Sequence, residues 1–351
     1  MLIDELPERY RRILLSECQI DWKLRAMSDA ELLRFPGLGV KGLAAVKSIV
    51  EKNTPPTEWI AVDWGTTNLR AWAMGKDEII NFGDNFNSGM NKLAPDQFEA
   101  ALLEVIAPWL GPRTLVLSCG MVGARQGWVE ARYRSVPCTP TDPAALMRVQ
   151  THDPRLDVRI APGLSQAKPA DVMRGEETQL AGALALYPGF DGVFCLPGTH
   201  SKWVHISAGE VVSFQTFMTG EMFALLSTQS VLRHSLTAEG WDDAEFDAGL
   251  SDALSRPDRI AARLFSLRAE GLLHGMTAPQ ARARLSGLLI GIELAGAKPY
   301  WLGQSVKLIG ADKLSALYAR ALALQGLQAE SLDATACTLA GLSALNAQLK
   351  D

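Results

Sequence analysis

The stretch IAVDWGTTNLRAWAM, residues 60–74, sets the strongest constraint on the fold. An apolar run ends at Asp63, a turn of small and hydroxyl residues follows, and a second apolar-rich run begins. That pattern predicts strand, turn, strand, with one carboxylate beside a Gly and two Thr. A second stretch, VFCLPGTHSKWVHIS, repeats the theme about 130 residues later. With Gly65 set on Gly198, Thr66 meets Thr199, Asn68 meets Ser201, and both copies run into Trp-containing strands (Trp72, Trp203). Such a repeat implies two related halves facing each other.

Between the copies, strand-like and helix-like segments alternate. TLVLSCG (114–120) and GVFCLPG (192–198) are apolar runs closed by Gly, as buried strands are. EETQLAGALALY (176–187) and ARARLSGLLIGIELAGA (281–297) read as helices, and VKLIGADKLSALYARALALQG (306–326) as strand, Gly turn and helix. The fold class is therefore α/β. Residues 1–53 read as helices around a Pro-Gly-x-Gly break, and NTPPTE cannot continue a helix and reads as a linker.

The chain has 351 residues, 48% of them hydrophobic, which is enough for more than one domain. Its net charge of −5 gives no global reason to bind nucleic acid or an acidic membrane. Five dispersed Cys without C-x-x-C spacing argue against a disulfide framework or a structural zinc site. The start MLIDELPERYRR has no apolar core of a signal peptide, and no apolar run nears the roughly 18 residues of a membrane span. The expectation is a soluble cytoplasmic protein.

A Gly-containing tight turn lets backbone N–H groups converge without obstruction, and Thr hydroxyls add donors. Each Gly-Thr turn is thus an anion cradle suited to phosphate oxygens. Asp63 would repel a bare phosphate. It makes sense with Mg²⁺ between them, because Mg²⁺ takes one or two carboxylates plus phosphates and water. The plain alternative is an ordinary hairpin with polar turn residues. There is no Walker P-loop, and GLGVKG (37–42) follows no strand, so it is not a dinucleotide fingerprint.

DWGTTNLRAWAM, SCGMVGARQGWVEARY, LPGTHSKWV and TFMTGEMFALLS, in that order, resemble the 2-dehydro-3-deoxygalactonokinase family. The likeness runs from about Trp59 to the C-terminus. It implies a two-lobed actin-like, hexokinase-like ATPase (ribonuclease H-like) fold, with a first kinase lobe over 59–172 and a second, with a C-terminal helix, over 173–351. ATP and a sugar acid would bind between the lobes. The implied reaction transfers phosphate from ATP to the 6-hydroxyl of 2-dehydro-3-deoxy-D-galactonate in galactonate catabolism. By similarity, Gly65, Thr66, Thr67 and Asn68 form the first phosphate loop. Gly198, Thr199, His200 and Lys202 form the second, and Gly310 and Ala311 pass the adenosine. In the superfamily the second loop usually begins Asp-Gly; here Leu196 or Pro197 stands in that place, so any second carboxylate near Mg²⁺ must come from elsewhere.

In the superfamily the proton acceptor is an Asp followed by Thr at a helix start. Glu177-Thr178 matches it in register; Glu176 is the neighbouring candidate and Asp63 the rival base, and a capping role is the plain alternative. A cation should grip the substrate carboxylate: Arg125 first, then Arg70. Gly120 and Met121 offer backbone donors to the substrate, with Trp128 beside them, while Thr219 and Glu221 open a helix that either contacts sugar or is merely capped. A homodimer is an open alternative.

The family does not begin with residues 1–53. FPGLGVKG resembles a helix-hairpin-helix turn, as in the RNA polymerase alpha C-terminal domain and in repair proteins, where Gly amides and a Lys such as Lys41 would meet DNA phosphate. Nine Lys or Arg against eight Asp or Glu, a net of +1, is not a basic face. Packing or oligomerisation is the preferred reading of this module (1–53, with linker 54–58), and a natural or engineered fusion is another. A sugar-acid-responsive regulator with a DNA-binding N-terminus is the alternative function; retention of Asp63 and both turns favours the enzyme.

Overall fold

Each strand–turn–strand seeds a sheet, and the two sheets have one topology. A computed structural model of the protein describes residues 1–15, 18, 20–76, 78–237 and 239–350. Its contacts divide the chain into two compact units, Met1–Tyr133 with Thr141–Gly163 and Leu342–Asp351, and Arg134–Pro140 with Leu164–Gly341.

The first unit opens with four helices, α1 (Glu8–Leu14), α2 (Asp21–Ala26), α3 (Asp29–Leu33) and α4 (Gly39–Asn53). Ser28 and Glu31 close a reciprocal capping box at the start of α3, satisfying two amides that the helix leaves open. The turn into α4 bends at Gly37 and Gly39, both at positive φ, and Lys41 is exposed. Leu2, Ile3, Leu14, Leu24, Leu32, Leu38 and Val46 form the module's own apolar cluster.

The first sheet follows, with β1 (Trp59–Trp64), β2 (Leu69–Met74) and β3 (Ile79–Asn85) as an antiparallel meander. Helix α5 (Phe98–Ile106) then leads to β4 (Thr114–Gly120), which pairs parallel to β1. β5 (Arg134–Ser135) belongs to the second unit, and β6 (Met147–Arg148) and β7 (Leu156–Ile160) complete this sheet in the order β3-β2-β1-β4-β7-β6. A strand paired on both edges and covered on both faces reads as a near-continuous apolar run; in β1 every residue but Asp63 is buried.

The N-terminal module packs on β3. Arg25 of α2, with 3% of its side chain exposed, donates to the carbonyls of Ile80 and Asn53 and lies 3.6 Å from Glu78. Trp22 meets Phe82 edge-on at 5.9 Å.

In the second unit β8 (Leu164–Gln166) and β9 (Asp171–Met173) join β5 in a small sheet, and α6 (Glu176–Leu186) follows. The second large sheet repeats the first: meander β10 (Gly192–Leu196), β11 (Ser201–Ser207), β12 (Glu210–Phe217). Helices α7 (Thr219–Thr228), α8 (Asp243–Ser255), α9 (Ile260–Leu273), α10 (Ala278–Gly296) and α11 (Lys298–Trp301) precede β13 (Val306–Gly310), parallel to β10. Then come α12 (Asp312–Ala323), β14 (Glu330–Asp333) and α13 (Ala334–Gln348). The order β12-β11-β10-β13-β14 matches β3-β2-β1-β4-β7 strand for strand.

The period of two along β10 divides its core. Val193 and Cys195 join Phe246, Leu250, Ile290 and Tyr318 of α8, α10 and α12, while Phe194 and Leu196 join Leu180 and Cys337 of α6 and α13. Each such side chain contributes roughly 1.5–3 kcal/mol when fully buried. No helix among the described residues is long and apolar enough to cross a membrane.

Helices α6 and α13 approach to backbone contact: a Cβ on Gly182 would lie 1.8 Å from the carbonyl oxygen of Cys337. Gly182→Ala should therefore destabilise the protein by about 3 kcal/mol, as overpacking of a rigid backbone contact does. Urea unfolding checks it; an unchanged midpoint would show that the helices part freely.

Candidate active site

Parallel pairing sets the loops after two neighbouring strands at one end of the sheet, the usual place for ligands in such sheets. In the first unit Trp64 pairs with Gly120, so the turn Gly65–Asn68 and the turn after β4 share an end. The amide of Gly65 donates to Asn68 O at 3.0 Å, while the carbonyls of Gly65 and Thr66 accept from Met90 and Asn91. The amides of exposed Thr66 and Thr67 have no partner among the described residues, so the turn offers donors as an anion site requires.

Asp63 precedes this turn. It stands opposite Arg70 in the hairpin register, and Arg70 Nη2 is paired with its Oδ2. Its Oδ1 faces Gly120, whose φ is 92° and where a Cβ would lie 3.5 Å from Oδ1 and 2.7 Å from Trp64 O. Gly at 120 therefore keeps this carboxylate edge open. One carboxylate with an open oxygen, beside turn amides, suits Mg²⁺ held largely by phosphates and water. Among the described residues no group of three or more acidic, His or Cys side chains forms an all-protein metal cage.

Below the turn, Trp64 is fixed by Ser88 O, 2.7 Å from its Nε1, and by Phe98 and Trp128, which stack at 6.2 Å. Trp128, expected at the substrate, stacks on Phe98 and meets Trp64 edge-on. Met121 opens a short 3-10 turn after Gly120. Arg125 projects outward, its side chain 81% exposed and 3.7 Å from Glu130.

In the second unit the turn Gly198–His200 joins β10 to β11. The amides of Thr199 and His200 have no partner among the described residues. Glu221 N donates to Thr199 O at 2.9 Å, and the Glu221 carboxylate lies 2.6 Å from His200 Nε2. Thr219 and Glu221, which the sequence leaves between sugar contact and helix capping, stand beside this turn. Buried Lys202 reaches His200 O at 3.2 Å and Glu176 Oε1 at 3.3 Å.

A pocket of about 350 Å³ opens at the turn, lined by Gly198, Thr199, Thr219 and Gly220, by Phe223 of α7, Arg282, Ser286 and Leu289 of α10, Leu314, Leu317 and Tyr318 of α12, and Trp241. Arg282 lies over the Phe223 ring at 5.1 Å. Gly310 touches this neighbourhood, since a Cβ there would lie 3.2 Å from Pro197 O, and Ala311 caps α12.

Glu176 and Glu177 open α6 after Gly175. Glu176 accepts from Arg174 N at 3.0 Å and pairs with Lys202. Glu177 is fully buried; it accepts from Gly175 N at 2.7 Å and from Thr178 Oγ1 at 3.2 Å. Burial, with the neighbouring Glu176 charge adding to it, pushes the Glu177 carboxyl up to about 8.

The sequence reading missed Glu293, Tyr318, Arg282, Phe223 and Trp241. Glu293 did carry a signal: one carboxylate inside the apolar run GLLIGIELAGA must find partners when buried.

Twin sheets with amide-lined turns at their strand ends, one with a carboxylate and one beside an apolar pocket, define the actin-like class of ATPases and sugar kinases. Residues 63–345 match the model of the family described as 2-keto-3-deoxy-galactonokinase, and the chain belongs to that family. It is 42% identical over 294 residues to a Rhizobium meliloti (strain 1021) protein assigned as 2-dehydro-3-deoxygalactonokinase DgoK1, spanning 82% of this chain and 95% of that one. It is 37% identical over 296 residues to the Escherichia coli (strain K12) 2-dehydro-3-deoxygalactonokinase, spanning 83% of this chain and 96% of that one. A solved Sinorhizobium meliloti structure assigned to the same activity superposes with a TM-score of 0.77 at 39% identity, over 83% of this chain and 99% of that one.

The raised Glu177 pKa has a stability consequence. Between its ordinary value of 4.5 and about 8 the folded protein holds a proton that the unfolded chain releases. This group's stabilisation is therefore full below 4.5 and lost as pH rises through 8. In melting curves from pH 5 to 8.5, Glu177→Gln should lose stability less steeply than wild type; parallel curves would mean that Glu177 titrates as an ordinary carboxyl.

Proposed function

We propose that the chain is an ATP-dependent kinase that phosphorylates the 6-hydroxyl of 2-dehydro-3-deoxy-D-galactonate, in galactonate catabolism and in the cytoplasm. The observation that carries this reading is the doubled Gly-Thr turn, open amides outward, at the strand ends of two like sheets in a member of this kinase family. For function we divide the chain into lobes 59–172 and 173–351 with residues 1–53 appended. The module's Arg25 and Trp22 contacts support packing as its role.

In this reading the pocket by α12 takes the nucleoside, its base against Phe223 and Trp241, with Gly310 and Ala311 passing the sugar. Gly198, Thr199, His200 and Lys202 receive phosphate oxygens, with Thr219 and Glu221 holding that turn. Gly65, Thr66, Thr67 and Asn68 receive the transferred phosphoryl group. Asp63 would hold Mg²⁺, which would neutralise the charge that builds on the phosphate oxygens. Glu177 takes the proton of the attacking hydroxyl, since a base works best with a pKa near the working pH. Glu176, held by Lys202, keeps Glu177 high by its charge. Arg125 grips the substrate carboxylate, with Gly120 and Met121 amides beside it and Arg70 as the second cation.

ADP release is the test, with Mg-ATP and a panel of 2-dehydro-3-deoxygalactonate, its gluconate epimer, galactonate and a plain hexose. Turnover on the first alone is expected; turnover on the epimer alone, or binding without turnover, would overturn the proposal. Asp63→Asn should cut kcat by at least about a hundredfold with the fold intact, as loss of an electrostatic group does. Glu177→Gln should cut kcat comparably and remove the rise of rate toward pH 8. An unchanged rate in either variant removes that residue from the chemistry.

A further inference from the structure

Glu293 belongs to no phosphate turn, yet four elements meet at its carboxylate. It lies inside α10 with 1% of its surface exposed. Its Oε1 accepts from Trp203 Nε1 of β11 at 2.8 Å, and its Oε2 from Tyr318 Oη of α12 at 2.6 Å. The hydroxyls of Thr219, first residue of α7, and Ser201, first of β11, lie close enough to favour its ionised form. Burial raises this carboxyl, and the Trp203 and Tyr318 donors, with the nearby hydroxyls, work against that rise by favouring the ionised form.

A carboxylate only accepts, so it dictates the direction of every bond around it. Tyr318 gives its proton to Glu293. The Ser201 Oγ, 2.9 Å from Tyr318 Oη, then points its own hydrogen inward. Its lone pairs are left for the amide of Gly198, 3.5 Å away, which donates to it. The run Gly198, Ser201, Tyr318, Glu293 is a relay with one polarity. It starts in the second turn and passes the wall of the pocket, which Tyr318, Thr219, Gly198 and Thr199 all line.

We propose that Glu293 is a positioning residue for the phosphoryl donor: through Tyr318, Ser201 and Thr219 it fixes the second turn and the adjoining pocket wall in the form that receives the nucleotide's phosphates. The inference rests on the reading of that turn as a phosphate site. Removing the Tyr318 hydroxyl leaves the ring and the pocket shape but cuts the relay. Replacing Glu293 by Gln leaves one acceptor for two donors and turns an N–H₂ group toward one of them, an expensive arrangement in a buried site.

The test compares steady-state kinetics of wild type, Tyr318→Phe, Glu293→Gln and Thr199→Val in the full chain, with Mg-ATP and sugar acid varied separately. Tyr318→Phe and Glu293→Gln should each raise KM for ATP roughly tenfold, leave KM for the sugar acid unchanged and lower kcat by no more than about twofold. Should Glu293→Gln not fold, Tyr318→Phe reads the same relay. A drop in melting temperature with unchanged KM for ATP in Tyr318→Phe would reduce the network to fold support and overturn the inference. If Thr199→Val raises KM for ATP while Tyr318→Phe does not, the relay fails and the phosphate reading stands. If Thr199→Val also leaves it unchanged, the turn is no phosphate site and both fall.

Discussion

The pairing of one central strand on both edges governs each half of this protein. β1 runs antiparallel to β2 and parallel to β4; β10 runs antiparallel to β11 and parallel to β13. Antiparallel pairing allows a short turn, and parallel pairing returns the next loop to the same end. The turn amides, with no further strand to bind, are left for a ligand, and carbonyls that would repel an anion are taken up, as Gly65 and Thr66 are by Met90 and Asn91. An anion site at such turns would thus be a by-product of strand pairing. The side chains beside it distinguish the halves: Asp63 in one, a Ser201–Tyr318 hydrogen bond in the other.

That constraint explains what could be read from residues alone. Apolar runs broken by Gly reveal doubly covered strands, so β1, β4 and β10 were legible, and the Gly65–Gly198 correspondence was matched by identical strand orders. The Asp63–Arg70 pair was within reach too, because residues flanking a four-residue turn at equal distance face each other across a hairpin. What escaped depends on distant packing. Trp128 sits in a Gly-rich loop, and no local pattern encodes its stacking on Phe98. The nucleotide-pocket candidates Phe223, Arg282 and Trp241 come from separate segments whose convergence no local pattern encodes.

The N-terminal module obeys a different logic. The family model matches residues 63–345, and matches of 294 and 296 residues span 95% and 96% of the relatives' own length. Its own cluster is small, and short helices with so little core are marginal alone. Arg25 offers a reason for it to stay on β3: a guanidinium with 3% exposure donates to the carbonyl of Ile80, a bond that a detached module would exchange for water.

Four carboxyl groups show how surroundings assign roles to like chemistry. Asp63 keeps an edge open over Gly120, with Arg70 on the other oxygen, so it can share a cation with phosphate. Glu176 is tied to Lys202 and lends charge to its neighbour. Glu177 and Glu293 are both buried, but their donors differ. Glu177 has full desolvation and an adjacent negative charge that outweigh its backbone amides and the Thr178 hydroxyl, so its proton is held to about pH 8. Glu293 has Trp203 and Tyr318 as donors, with the Thr219 and Ser201 hydroxyls close by. A buried carboxyl short of donors is suited to exchanging a proton; one rich in donors is suited to holding other groups still. The first opens the helix α6, and the second stands under the turn that the nucleotide's phosphates would meet.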